Sequence, residues 1–137
     1  MSETISNVMN CGTKEKCWEG LTYTSKLTVG MEDTALALGS GDLPVLATPR
    51  MMALMENAAM MAVAPELEEG YTTVGGHIES SHLKPSVVGK EITATATLTK
   101  AEGKKLYFNI VAKMEDVIIG EGTHLRFIVN KEKFMSR

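Results

Sequence analysis

One carboxylate stands where carboxylates are costly. Glu56 interrupts the run Met51-Met52-Ala53-Leu54-Met55 and its continuation Ala58-Ala59-Met60-Met61. Unpaired in apolar surroundings, such a group should have a raised pKa. That makes it a candidate general base or nucleophile. The other reading is that Glu56 and Asn57 mark a narrow solvent-facing stripe, and the residues alone leave both open. Eight residues earlier, Thr48 precedes Pro49. Threonine is favoured as an N-cap and proline at the first helical position, so the plain reading of Thr48 is a cap. A hydroxyl beside the free amides of a helix N-terminus also suits a polarised carbonyl, because negative charge is favoured there.

The histidines are His77, His82 and His124. His77 and His82 are five apart on one strand-like segment, so they point to opposite faces and cannot share a metal without a bulge. No His, Cys and carboxylate set has ligand spacing, and no metal or other cofactor is expected. His82 precedes Lys84-Pro85 and Gly89, a bend where a strand rim can meet a ligand. A lone strand histidine is otherwise structural. His124 alternates with Thr123, Leu125, Phe127 and Val129. Taking that set as the inner face leaves His124 and Arg126 on the other, toward solvent or a subunit contact, and outside the catalytic set. Gly75-Gly76 lies inside a strand and is no phosphate loop, and there is no G-x-S-x-G elbow.

These residues need a scaffold. With 137 residues, the chain is one ordinary domain, long enough to bury roughly two-thirds of its unfolded surface. Lys plus Arg is 14 and Asp plus Glu is 17, a net charge of −3, which gives no broad attraction to nucleic acid or anionic lipid. Aromatics at 5% are too few for a base-stacking platform. The longest apolar stretch, 51–64, is broken by Glu56 and Asn57 and is shorter than the ~20 residues of a membrane span. The first residues lack the pattern of a signal peptide. Cys11 and Cys17 read as free thiols of a cytoplasmic protein.

Residues 1–18 form a polar N-terminal segment, and 19–134 the single domain. Alternation from Glu19 to Gly30 predicts a strand, with 31–47 irregular. The run Arg50 to Ala64, rich in Ala, Met and Leu and stopped by Pro65, predicts the one convincing helix. Being apolar nearly all round, it should be buried nearly all round. Its five Met residues read as core filling or as a flexible acyl pocket. Four further strands follow over Tyr71–Leu83, Glu91–Ala101, Lys104–Met114 and Val117–Val129, the last three a meander of hairpins. The expected fold is α+β, a five-stranded antiparallel sheet wrapped around one central apolar helix, which is the hotdog arrangement. Such a sheet covers one side of the helix, so a second subunit related by a two-fold axis is expected to cover the rest.

Three stretches carry a resemblance. Leu46-Ala47-Thr48 through Leu54-Met55-Glu56, Gly75 through His82 to Gly89, and Gly120-Glu121-Gly122-Thr123-His124-Leu125-Arg126 occur in order at compatible spacing. In these, from about residue 19 to 134, the chain resembles the fluoroacetyl-CoA thioesterase-like branch of the hotdog thioesterases. The resemblance implies a homodimeric acyl-CoA thioesterase with its site at the subunit interface. It implies that Thr48, Glu56 and His82 are the catalytic residues, and that the Gly75 backbone lies beside the thioester. The fluoroacyl enzyme of that branch closes its pocket with phenylalanines ahead of the helix. Here that segment reads Leu38-Gly39-Ser40-Gly41-Asp42-Leu43, so a different short acyl group is expected.

On this reading Glu56 attacks the thioester or activates water, His82 orients it and moves protons, and Thr48 with backbone amides polarises the carbonyl. Thr48 and Glu56 are about 12 Å apart along a helix. They either flank the substrate separately or meet across two chains. Lys84, Lys90 and Arg126 are candidate cations for CoA phosphates. Two other functions use the same features: a hydratase or dehydratase, removing an α-proton with a histidine and a carboxylate, and a non-catalytic acyl-CoA-binding module.

Overall fold

The computed structural model describes residues 18–137. The readings of Cys11 and Cys17, and of the segment before Trp18, fall outside the described residues. Trp18 itself is buried in the core. The chain runs through β1 (Thr22–Thr28), a short helix α1 (Ala35–Leu38), the long helix α2 (Thr48–Val63), β2 (Tyr71–His82), β3 (Glu91–Glu102), β4 (Lys105–Met114), β5 (Val117–Asn130) and a short helix α3 (Lys131–Met135). The five strands form one antiparallel sheet in the order β1-β3-β4-β5-β2. The meander arises because both turns are tight. Gly103 (φ 63) and Glu115 (φ 57) supply the left-handed backbone that two-residue hairpins demand. The α+β expectation holds. None of the described helices is long and apolar enough to cross a membrane.

Helix α2 lies on this sheet, mainly against β1 and β3. Met51, Leu54, Met55, Ala58, Ala59, Ala62 and Val63 are buried, the spacing of one helical face. Burial is therefore one-sided rather than all round. Met52, Met60 and Met61 stay half-exposed, because one sheet reaches only one side of a helix. The polar pair at 56 and 57 also divides. Asn57 accepts a hydrogen bond from the Ser25 hydroxyl of β1 at 2.6 Å, whereas Glu56 has no hydrogen bond among the described residues.

The start of α2 departs from expectation. Ala47, not Thr48, is the N-cap residue, in extended conformation with no side-chain cap bond. Thr48 and Pro49 are the first two helical residues. This entry is fixed from outside the helix. The Ala47 N–H donates to the Asp33 carbonyl at 2.9 Å, and Arg50 Nε donates to Asp33 Oδ1 at 2.9 Å. Asp33 Oδ2 accepts from the Gly30 N–H at 2.8 Å. Asp33 is buried, so it staples the 30–47 loop to the helix entrance and leaves the Thr48 hydroxyl free. Asp33→Ala should cost about 2 kcal/mol, the scale of an orphaned donor plus a lost charged hydrogen bond, read as a lowered urea midpoint.

Strand β5 carries a second correction. Its buried residues include His124, Arg126 and Ile128, while Leu125, Phe127 and Val129 are half-exposed. The inner face is thus the polar one near its middle. The expectation followed apolarity, but His124 and Arg126 are buried because both are hydrogen-bonded. Strand β2, at the sheet edge, carries a bulge between Gly75 and His77. Gly76 fits there because any Cβ would run into the Phe127 ring.

Candidate active site

Two polar clusters sit along α2, each made by the helix and β2. The first joins the beginning of α2 to the end of β2. Thr48 Oγ1 lies 2.7 Å from His82 Nδ1. A cleft of about 290 Å³ opens over this pair, between the Ser40–Leu46 side and the Leu83–Pro85 bend. Burial pushes the His82 imidazole below its ordinary pKa, and the Lys84 backbone opposes this. Its Nε2 is buried with no hydrogen-bond partner among the described residues. A neutral imidazole bonded to a hydroxyl, at the wall of a cleft, is equipped to take up and deliver a proton.

The second cluster lies two turns further along α2. Glu56 is half-buried and faces Gly75 of β2. A Cβ at Gly75 would stand 3.0 Å from Glu56 Oε2, 3.3 Å from His124 Cε1 and 3.5 Å from Arg126 Nη1. Glycine thus leaves a small polar recess above its backbone, walled by a carboxylate, an imidazole and a guanidinium. Arg126 donates from Nε to Thr73 Oγ1 at 2.8 Å and from Nη2 to the Thr73 carbonyl at 2.9 Å. Burial pulls its pKa down and the Glu56 charge raises it. His124 Nδ1 is 2.7 Å from the His77 carbonyl, and its Nε2 is 3.2 Å from Arg126 Nη1. Burial is the main force lowering the His124 pKa. The His77 carbonyl opposes it, Arg126 reinforces it, Glu56 opposes it and the His77 ring reinforces it.

The structure therefore brings Thr48 to His82 and Glu56 to Gly75. It shows no hydrogen bond or ion pair between Glu56 and either member of the first pair within one chain. Sequence reasoning missed His124 and Arg126 as neighbours of Glu56. The available signal was their spacing of two on one strand, which puts a cation and an imidazole on a single face. Arg126 is buried and turned toward Thr73, so it is no surface cation for a CoA phosphate, whereas Lys84 and Lys90 are exposed. Among the described residues, no three His, Cys, Asp or Glu side chains gather as metal ligands.

Both depressed histidines bear on stability. Each ring binds its proton less readily folded than unfolded, so their contribution is complete above about pH 6.5 and is lost as pH falls through the folded values. Thermal midpoints should be nearly flat from pH 8 to about 6.5 and decline below it.

Residues 29–132 match the family model described as FlK, fluoroacetyl-CoA-specific thioesterase. The fluoroacetyl-CoA thioesterase of Streptantibioticus cattleyicolor is 38% identical over 93 residues, 68% of this chain and 67% of that protein. A crystal structure of a point mutant of FlK in complex with fluoroacetate and CoA superposes with a TM-score of 0.77 at 33% identity, over 85% of this chain and 98% of that one. A Thermus thermophilus thioesterase superfamily member superposes with a TM-score of 0.81 at 29% identity, covering 89% of this chain and 90% of its own. The strand order, the single long helix and these matches agree: the chain belongs to the fluoroacetyl-CoA-specific thioesterase family, with a hotdog fold.

Proposed function

We propose that this protein hydrolyses a short-chain acyl-CoA thioester to the free acid and CoA, at sites assembled from two copies of the chain. The observation that carries the reading is the Glu56 carboxylate, half-buried and without a hydrogen bond among the described residues, facing the bare backbone of Gly75. Family membership supplies the reaction class. CoA and fluoroacetate bound in the FlK complex support an acyl-CoA substrate. The segment 38–43 holds exposed Leu38 and Leu43 and no aromatic ring, which supports a short acyl group other than fluoroacetyl.

Thr48 with His82 and Glu56 with Gly75 are two half-sites about two helical turns apart, roughly 12 Å. Strand β2 is an edge strand. Antiparallel pairing of β2 with its own copy, about a two-fold axis through Glu79 and with the bulge at Gly76 taking up one residue, would set Gly75 opposite the partner's His82. The same pairing would bring a second helix toward the half-exposed methionines of α2. This supports a homodimer in which each thioester meets Glu56 of one chain and Thr48 with His82 of the other.

Chemistry follows from those groups. Glu56 either attacks the carbonyl carbon, giving an acyl-enzyme anhydride that water then cleaves, or takes a proton from the attacking water. In both routes the carbonyl oxygen gains negative charge, for which the Thr48 hydroxyl and backbone amides such as that of Gly75 are donors. The C–S bond breaks as the oxyanion collapses. In the general-base route the proton that Glu56 takes from water is passed through His82 to the CoA sulfur; in the nucleophilic route CoA leaves as the thiolate and is neutralised by the proton released when water cleaves the anhydride. The reading implies a cytoplasmic enzyme with no cofactor. A panel of acyl-CoA esters with a thiol-detecting dye tests it, run on wild type and Glu56→Ala. Thiol release from at least one short acyl-CoA, lost in the variant, is expected. No release from any ester would overturn the reading.

A further inference from the structure

The proposed chemistry leaves unused two buried titratable side chains, His124 and Arg126, which are 2% and 6% exposed. Their hydrogen bonds define a protonation state. The His77 carbonyl can only accept, so His124 Nδ1 carries the hydrogen across the 2.7 Å contact. The Arg126 guanidinium can only donate, so His124 Nε2, 3.2 Å from Nη1, must be a bare lone pair. One neutral tautomer satisfies both. The ring is further held beside Phe108 of β4, at 6.3 Å between centroids. Arg126 is anchored twice by Thr73, and His124 takes its third arm.

A self-satisfied buried network is the plain alternative. Two facts argue against it as the whole explanation. Desolvating a guanidinium is costly, and apolar residues of similar size would fill this space at least as stably. The network also presents its free side to the Gly75 recess, where Glu56 Oε2 stands. We propose that His124 is a positioning residue, whose bare Nε2 fixes the Arg126 guanidinium opposite the Glu56 carboxylate across the Gly75 backbone. The inference rests on the reading of Glu56 as the attacking carboxylate.

It makes the site sensitive to protonation of His124. A proton on Nε2 turns the acceptor into a donor facing another donor, and Arg126 loses its third anchor. The groups around His124 are Arg126 on β5, His77 on β2 and Glu56 on α2, with uncharged Phe108 on β4. Arg126 and a protonated His77 resist the added proton, while Glu56 favours it.

The test compares His124→Gln and His124→Ala with wild type, measuring kcat and KM on the preferred acyl-CoA from pH 8 to 5. Glutamine can accept from Arg126 and donate to the His77 carbonyl, and it does not titrate. His124→Gln should keep kcat within about 3-fold of wild type at pH 8, and its ratio to wild type should rise as pH falls below the ordinary imidazole value of about 6.5. His124→Ala should lose kcat by about 10- to 30-fold at pH 8 with KM nearly unchanged. A constant His124→Gln ratio across pH, or equal kcat for the two variants at pH 8, overturns the proposal. Imidazole nitrogen NMR of the wild type at pH 7.5 needs no variant. Hydrogen on Nδ1 and a bare Nε2 are expected for His124, and the opposite tautomer or a charged ring overturns the proposal. Glu56→Gln run alongside separates the two readings. If it keeps wild-type kcat, the Glu56 reading has failed. If it is inactive while the His124 variants match wild type, only the role of His124 has failed.

Discussion

Glu56→Gln should lower kcat about 10³-fold while changing KM less than about 3-fold. Glutamine keeps the shape of the side chain but neither attacks a carbonyl nor accepts a proton from water. The fold should hardly notice, because the Glu56 carboxylate makes no hydrogen bond among the described residues and is half-exposed in the single chain. Its urea midpoint should therefore shift by no more than about 0.5 kcal/mol equivalent, the usual range for such positions. Activity and stability then separate cleanly. A variant retaining more than a tenth of wild-type kcat would place the attacking group elsewhere. Removal of a merely solvated glutamate from a surface stripe would produce that result.

The second large effect belongs to His82. His82→Ala should cost about 10²-fold in kcat, and Thr48→Ala about 10-fold or more. The two act through one 2.7 Å contact, so the double variant should be little worse than His82→Ala alone. Burial depresses the His82 pKa, so the ring stays neutral at pH 7 and should remain so somewhat below pH 6.5. The acid limb of wild-type kcat/KM should accordingly lie below the ordinary imidazole value. Strictly additive losses would mean that the hydroxyl and the ring serve unrelated purposes.

Much of the fold is legible in the residues. Alternation in Glu91–Glu102 and the punctuating Gly103 and Glu115 are local signals, and local signals survive folding. The long helix declares itself through its Ala, Met and Leu content and the proline on each flank. Errors arose where a distant partner decides. Thr48 is a plausible cap by type, but Asp33, fifteen residues earlier, sets the helix entry and leaves the hydroxyl for His82. The inner face of β5 cannot be read from apolarity, because burial of His124 and Arg126 depends on Thr73 and the His77 carbonyl, some fifty positions away. Thr48, Glu56, His82 and Gly75 could be singled out by residue type and resemblance. Their division into two clusters along α2 needed three dimensions, because which face of β2 meets which turn of α2 is written in packing rather than in either segment alone.

Joint use of the Thr48–His82 and Glu56–Gly75 clusters is most directly tested by mixing impaired chains. Thr48→Ala and Glu56→Gln proteins are combined in equal amounts, equilibrated until native mass spectrometry shows heterodimers, and assayed for thiol release. A site shared between chains restores one of the two sites in each heterodimer, so activity should return to roughly a quarter of wild type. Heterodimers that form in full yet release no thiol above the unmixed variants would contradict the shared site.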